Sequence, residues 1–336
     1  MFARPAAPQP RPRAIANWLL FVAGLVFLMV VIGGITRLTE SGLSITRWDP
    51  VAGAIPPLDA ADWQAQFDLY KQSPQYAEMG HGMTLADFKF IFFWEYVHRL
   101  LGRLIGLAFA LPLLWFWWRR AIPESFGWKL GGILALGALQ GAIGWWMVAS
   151  GLVDRPEVSH IRLAIHLITA LIIFASMIWV ALDLKARARP PLLAIWALCA
   201  LYLQFMFGAY MAGLDAGYAF NTWPKMGEDW YPAGADWLQP ALRNFADNPV
   251  TVQFVHRWLA FAVAGFAITL GLKCWRRGLR LEGAALIGAV CAQIMLGILT
   301  LLSGVQIDIA VSHQAMAVLL LAAMVTAAHR LGEVRA

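Results

Sequence analysis

The segment Glu95-Tyr96-Val97-His98-Arg99 returns 158 residues later as Gln253-Phe254-Val255-His256-Arg257. Each copy lies in a long apolar run that ends in a paired basic stop, Arg119-Arg120 in one case and Arg276-Arg277 in the other. Two further sets of matches surround this one. Gly33, Gly42 and Trp48 fall on Gly208, Gly217 and Trp223 at a constant offset of 175, which also places Glu40 on Asp215. Gln140, Gly144, Ser150 and Gly151 fall on Gln293, Gly297, Ser303 and Gly304 at an offset of 153. Independent matches in one order identify a duplicated unit.

The unit is built for lipid. Apolar windows long enough to cross about 30 Å of hydrocarbon occur near residues 15–36, 90–118, 128–150, 162–182, 192–213, 252–275, 282–303 and 309–328. With 60% hydrophobic and only 14% charged residues the chain is too apolar for an ordinary soluble domain. Four spans separate equivalent points, so the copies share one membrane orientation and form parallel repeats. The expected fold is therefore an all-α integral membrane protein whose eight transmembrane helices form two parallel-repeat four-helix bundles, residues 1–189 and 190–336. Lys and Arg in alternate connections number 15 on the side of the termini against 8 on the other, which makes both termini cytoplasmic. The long connections, about 37–89 and 214–251, then face the extracytoplasmic side and are long enough to cap a site.

The remaining composition excludes other classes. The net charge of +6 resides in short loops between apolar runs and reports orientation rather than a nucleic-acid partner. Trp18, Trp94, Trp115, Trp117, Trp118, Trp179, Trp196 and Trp275 stand near the ends of the runs, where indole rings favour the headgroup level. Cys199, Cys274 and Cys291 show neither CxxC nor CxxCH spacing, so neither a disulfide framework nor covalent haem attachment is expected. The first apolar run lacks a convincing cleavage site and reads as a retained span. Its small residues Gly24, Gly33 and Gly34 suit packing within the chain or between protomers of a homo-oligomer equally well.

Seven histidines carry unequal weight. His98 and His256 are equivalent and open the second and sixth spans on the extracytoplasmic side. The fourth and eighth spans also begin near a histidine on that side, so each half offers two imidazoles at similar depth. For the fourth span, a gapless alignment pairs His160 with His313. A shift of six residues pairs His166, Ala170, Ala175 and Met177 with His313, Ala317, Ala322 and Met324. His166 is preferred, because Arg162 would leave His160 outside the hydrocarbon, at a pocket mouth or beside a propionate. His81, in a polar loop, and His329, beside Arg330, read as solvated side chains. Two imidazoles facing each other inside a four-helix bundle form a haem clamp. Structural zinc needs four protein ligands, which neither half supplies. Gly102, one turn after His98, reads equally as an approach for a porphyrin plane or as helix packing.

The copies differ beside the first histidine. Glu95 precedes His98 by three residues on one helix face, and its counterpart is Gln253. A carboxylate in this setting is costly unless paired or protonated. Glu95 is therefore a candidate proton-transfer or electrostatic group, with an ion pair to Arg99 as the plainer reading. The N-terminal half becomes the candidate reactive site, and the C-terminal half a structural or electron-carrying one.

Taken together, Gly34-Ile35-Thr36-Arg37-Leu38-Thr39-Glu40-Ser41-Gly42-Leu43-Ser44, Glu95-Tyr96-Val97-His98-Arg99, Asn221-Thr222-Trp223-Pro224 and Ser312-His313-Gln314 resemble the haem A synthase family over nearly the whole chain. The resemblance implies an oxidoreductase of the bacterial inner membrane that oxidises the C8 methyl of haem O to a formyl group. The product would be haem A for cytochrome c oxidase. It carries the family's essential glutamate onto Glu95 and its four haem-binding histidines onto His98, His166, His256 and His313. Substrate haem O would sit between His98 and His166, and a cofactor haem b between His256 and His313. The implied partners are a haem O synthase as supplier, the oxidase assembly machinery as recipient, and an electron donor that the sequence does not name. The absence of the loop cysteine pair found in some members places the chain with the proteobacterial and mitochondrial branch. An iron held by two histidines has no open position for dioxygen, so either one ligand leaves or oxidising equivalents arrive by another route. The competing readings are a non-enzymatic dihaem cytochrome and a haem chaperone.

Overall fold

In a membrane the backbone must satisfy its own hydrogen bonds, so each apolar run becomes a helix. The computed structural model describes residues 10–47, 52–153, 155–232 and 237–334. Trp48, one of the repeat matches, and the terminal residues Arg4 and Arg335 lie outside them. Eight helices are long and apolar enough to span: α1 (Pro12–Leu38), α4 (Leu85–Trp118), α5 (Gly127–Ala149), α6 (His160–Asp183), α7 (Leu192–Gly213), α9 (Pro249–Arg276), α10 (Arg280–Leu302) and α11 (Ile307–Arg330). Three short helices lie in the long connections, α2 (Ala60–Tyr70), α3 (Pro74–Met79) and α8 (Asn244–Asp247).

Neighbour relations repeat between the halves. In the first, α1 packs on α4 and α6, and α5 packs on α4 and α6; in the second, α7 packs on α9 and α11, and α10 packs on both of these. The halves meet where α6 touches α7 and α11 and where α1 touches α11. The core runs through this joint, from Leu19 and Val22 of α1 to Met177 of α6, Leu201 of α7 and Leu321 and Met324 of α11. Gly33 and Gly34 are used within the chain: a Cβ on Gly33 would press on His98, and one on Gly34 would collide with the Gln314 side chain. Gln314 Nε2 donates to the Val30 carbonyl at 2.9 Å, crossing from α11 to α1. A Cβ on Gly102 would stand 3.0 Å from Met29 Cε, so this glycine serves the α1–α4 contact.

The first and last described segments lie at one face. Arg11 N–H donates to the Ala121 carbonyl in the α4–α5 turn, and Ala188–Arg189 pairs antiparallel with Glu333–Val334, a two-residue ladder that hydropathy does not reveal. At that face Asp183 accepts from Lys129 at 2.7 Å and contacts His329 Nε2 at 3.1 Å. His329 is thus buried and bonded, not solvated as its place beside Arg330 predicts. The last turn of α11 packs on the end of α6, which supplies a buried acid 146 residues away.

The opposite face carries the cap. α4 starts at Leu85, earlier than the apolar run predicts, because Thr84 and Asp87 form a reciprocal capping box that ends the loop there. Phe67, Tyr70, Phe88, Ile91 and Phe92 bind α2 to the first turns of α4. Tyr70 donates to Gln75, which in turn donates to the Glu40 carbonyl at 3.1 Å, tying the cap to the exit of α1. Burial first, and the nearby Glu95 and Glu40 carboxylates next, push the Tyr70 hydroxyl up to about 12, so it stays neutral.

Candidate haem sites

Each of the four expected ligands sits on the second or fourth spanning helix of its half, with its ring against a glycine of the spanning helix before it. A Cβ on Gly33 would stand 3.1 Å from His98 Cε1, on Gly144 2.9 Å from His166, on Gly208 3.2 Å from His256 and on Gly297 2.9 Å from His313. Any larger residue would push the imidazole aside. His98 and His166 stand on helices that both pack on α1 and α5, and His256 and His313 on helices that both pack on α7 and α10. All four rings are half-buried.

Three of the rings share a second partner. Gln140 Nε2 lies 3.1 Å from His166 Nδ1, and Gln204 and Gln293 lie 3.2 Å from the Nδ1 atoms of His256 and His313. Gln140 and Gln204 also donate to the backbone carbonyl of their histidine at 3.0 Å. Each glutamine precedes its glycine by four residues, one helical turn on the same face. The repeated Gln-x-x-x-Gly was visible in the sequence at 140/144, 204/208 and 293/297, but only the folded chain shows which histidine each faces. The Oε1 atoms of all three glutamines are buried without a partner. An imidazole that gives Nε2 to iron keeps its proton on Nδ1 and needs an acceptor there. In the structure each amide nitrogen also stands 3.4–3.5 Å from Nε2, so it lies against the ring rather than accepting from Nδ1; what suits a haem is the glycine-seated imidazole pair in each half. Among the described residues no cluster of three or more His, Cys, Asp or Glu side chains is placed to hold a bare metal ion.

The other candidates are placed elsewhere. His160 opens α6 but turns toward the C-terminal half, where Nε2 contacts Asp247 at 3.1 Å and the ring meets Tyr210 edge-on. It is a contact between the halves, away from the pair at His98 and His166. His81 is exposed in the turn before α4.

Glu95 is buried at 3% exposure with both oxygens engaged. Oε1 accepts from Arg99 at 2.6 Å, and Oε2 accepts from Ser44 Oγ and Ile45 N–H, each at 2.7 Å. Three donors, one of them the paired Arg99 cation, offset the cost of burying the carboxylate. The ion pair to Arg99, the plainer expectation, is thus present, and the loop after α1 is fastened by the same group. Arg99 also donates to the Ile45 and Arg47 carbonyls at 2.9 and 3.3 Å. In the other half Arg257 donates to Phe220 and Thr222 carbonyls at 2.8 and 2.9 Å, the same two positions at the offset of 175. Gln253 Nε2 donates to the Phe220 carbonyl at 2.8 Å. The architecture is common, and among the described residues only Glu95 brings a carboxylate to it.

Arg37, at the end of α1, bridges the halves outside the sites. It pairs with Glu40, with Glu157 at 3.2 Å and with Asp215 at 3.1 Å. Burial raises the Glu40 and Glu157 carboxyls above the usual range, Arg37 opposes it, and the neighbouring acids add to it.

With this geometry in place, comparison with known proteins is decisive. A family model described as COX15-CtaA, cytochrome oxidase assembly protein, matches residues 16–325. The chain belongs to this family. Among its relatives, a heme A synthase of Rhizorhabdus wittichii is 57% identical, covering 98% of each chain. One of Sphingopyxis alaskensis is 50% identical over 97% of this chain and 94% of its own. One of Novosphingobium aromaticivorans is 47% identical over 97% and 99%. The cytochrome oxidase assembly family match thus takes in all eight spanning helices and both histidine pairs.

Proposed function

We propose that the chain is a haem A synthase, oxidising the C8 methyl of haem O to a formyl group to make haem A for cytochrome c oxidase. The observation that carries this reading is the two imidazoles in each half, each seated on a glycine, in a chain so similar to heme A synthases. His98 and His166 hold the substrate haem O in the half made by residues 1–189. His256 and His313 hold haem b in the half made by residues 190–336. When bound, that haem supplies one-electron transfer.

The chain's own residues define the rest. The four glycines set the imidazoles between helices, and Gln140, Gln204 and Gln293 orient three of them. Arg99 and Arg257 hold the loops over the two sites. Glu95, paired with Arg99, is the one carboxylate among the described residues at this place in either half, where it stabilises positive charge or receives a proton as the methyl group is oxidised. A groove of about 710 Å³ between α1, α4 and the α10–α11 turn is lined by Ile35, Phe90, Trp94, Val305, Ile307 and Val311. Trp94 lies one helical turn before His98, so the groove suits the isoprenoid tail of haem O arriving laterally from lipid. The excess of basic residues at the face of both termini supports a cytoplasmic position for them in the inner membrane. Both sites then lie toward the extracytoplasmic side. Haem O comes from a haem O synthase, and haem A passes to the oxidase assembly machinery.

The test is to express the chain with a haem O synthase and extract the pigments. Haem A is the expected product. Haem B and haem O alone would refute catalysis and favour a dihaem carrier or a haem chaperone.

A further inference from the structure

We infer that His160 sorts the two haems. Beside the C-terminal pair it closes the groove that stays open beside the N-terminal pair, so that only the N-terminal site takes a haem with an isoprenoid tail. The inference deepens the proposed seating of haem O between His98 and His166 and rests on it.

The joint between the halves has two edges related by the repeat, α1 with α4 and α11 at one, α7 with α9 and α6 at the other. Helices α5 and α10 match end to end at the offset of 153, and α6 and α11 at 147. The six extra residues of the first half therefore lie wholly in the α5–α6 turn, 150–159 against 303–306. The offset of 147 puts His160 on Ile307 and Ala164 on Val311, while those of 175 and 158 put Tyr210 on Ile35, Asn248 on Phe90 and Val252 on Trp94. The residue named second in each match lines the open groove. The two edges differ in exposure: Phe90 and Ile307 are 55% and 43% exposed, whereas Asn248 and His160 are 4% and 9%. Val252 and Ala164 are buried as well. His160 makes the closure. Its Nε2 contacts Asp247 at 3.1 Å, its ring meets Tyr210 edge-on, and its Cβ lies 2.5 Å from where a Cβ on Gly213 would stand. Asp247 is held in turn by Arg243 at 3.0 Å.

Helix geometry assigns the open groove to the N-terminal site. Trp94 precedes His98 by one turn and shares its face of α4, whereas Val311 precedes His313 by two residues, a spacing that shares no face. At the closed edge Val252 stands one turn before His256 in the same relation. An isoprenoid chain beside an iron ligand needs room that leads out to the lipid, and the groove of about 710 Å³ gives it. At the other edge the chain would have to displace His160 from Asp247, leaving a buried imidazole without its partner. Haem b has no such chain and needs no exit. The two sites thus share a clamp and differ in what they let past it.

The test reads pigments extracted from the full chain, purified from cells that also make haem O, as tailed haem (haem O plus haem A) and haem B per chain. The native chain is expected to carry both. Ile35→Tyr with Ile307→His gives the open edge the residues of the closed one. Tailed haem should then fall about 10-fold while haem B persists, the scale on which overpacking acts. Unchanged tailed haem would mean that the groove houses a lipid acyl chain, and would overturn the inference. The converse variant is built on His98→Ala with His166→Ala, in which only the C-terminal pair can bind. That chain should hold haem B alone, and adding His160→Ala should let it take tailed haem. Haem B alone with His160→Ala present would overturn the inference, and each arm decides if the variant of the other does not fold. Total haem separates this failure from that of the seating: His98→Ala with His166→Ala should hold one haem fewer than the native chain, and an equal number would remove the seating itself.

Discussion

The two halves hold their loops with the same hydrogen bonds and yet differ at two positions beside the first histidine of each. Arg99 and Arg257 reach equivalent carbonyls in loops that match at only a few positions, Ile45 and Arg47 in one, Phe220 and Thr222 in the other. Duplication has kept the frame. Against it, Glu95 stands where the other half has Gln253, and Met29 stands where it has Gln204. The first difference adds a carboxylate and the second replaces an amide by a thioether, both in the half proposed to bind substrate. A frame that serves two purposes is specialised by what touches its histidines, and the scaffold can stay constant.

The largest way to break the comparison is at the joint that holds the halves together. Arg37→Ala leaves Glu40, Glu157 and Asp215 without their shared cation; with the three acid side chains 33–44% exposed, solvent screening limits the loss to about 1–2 kcal/mol. A thermal melt in detergent should show a lower midpoint. Next comes the charge itself. Glu95→Gln gives the N-terminal half the residue of its counterpart; haem content should persist while haem A output falls by about 10²-fold or more, the usual scale for a positioned acid–base group. An unchanged output would remove Glu95 from the chemistry and leave it a fastener of the loop. Smaller and symmetric effects are expected at the glycines. Gly144→Ala and Gly297→Ala each place a methyl 2.9 Å from Cε1 of a ligand ring, an overpacking of about 1–3 kcal/mol. Each should lower haem occupancy in its own half only, read from pigment stoichiometry.

The smallest effect concerns pH. The folded state raises the Glu40 and Glu157 carboxyls, so it binds their protons more tightly than the unfolded chain does. Their contribution is therefore most favourable below the ordinary carboxylate value. It declines as pH rises from that value through the raised one and stays unfavourable above it. Glu157→Gln should be no less stable than the native chain at neutral pH, and any gain should vanish on acidification. The size is below about 1 kcal/mol, because a third-exposed carboxylate is screened by solvent. A midpoint that falls at neutral pH would show that Arg37 needs all three acids.

Much of this was legible in the chain. The eight spans follow from hydropathy because lipid leaves the backbone no other choice, and the ligand histidines stand out because duplication repeats them. The start of α4 was not legible from apolarity, since Thr84 and Asp87 set it by hydrogen bonds in a polar stretch. His329 was misread because the buried acid that holds it belongs to another helix. The glutamines show the limit most clearly. Gln140 and Gln293 are matched in the repeat, but a glutamine in a membrane helix reads as general helix-to-helix glue. Its meaning depends on the ring facing it across the bundle.

The central claim is that two histidine pairs do different work on the same frame. Its most direct test is to express paired variants with a haem O synthase and extract the pigments from the purified chains. His98→Ala with His166→Ala should retain haem B and yield no haem A, while His256→Ala with His313→Ala should lose haem B. Haem A from the first variant at the native level would contradict the account.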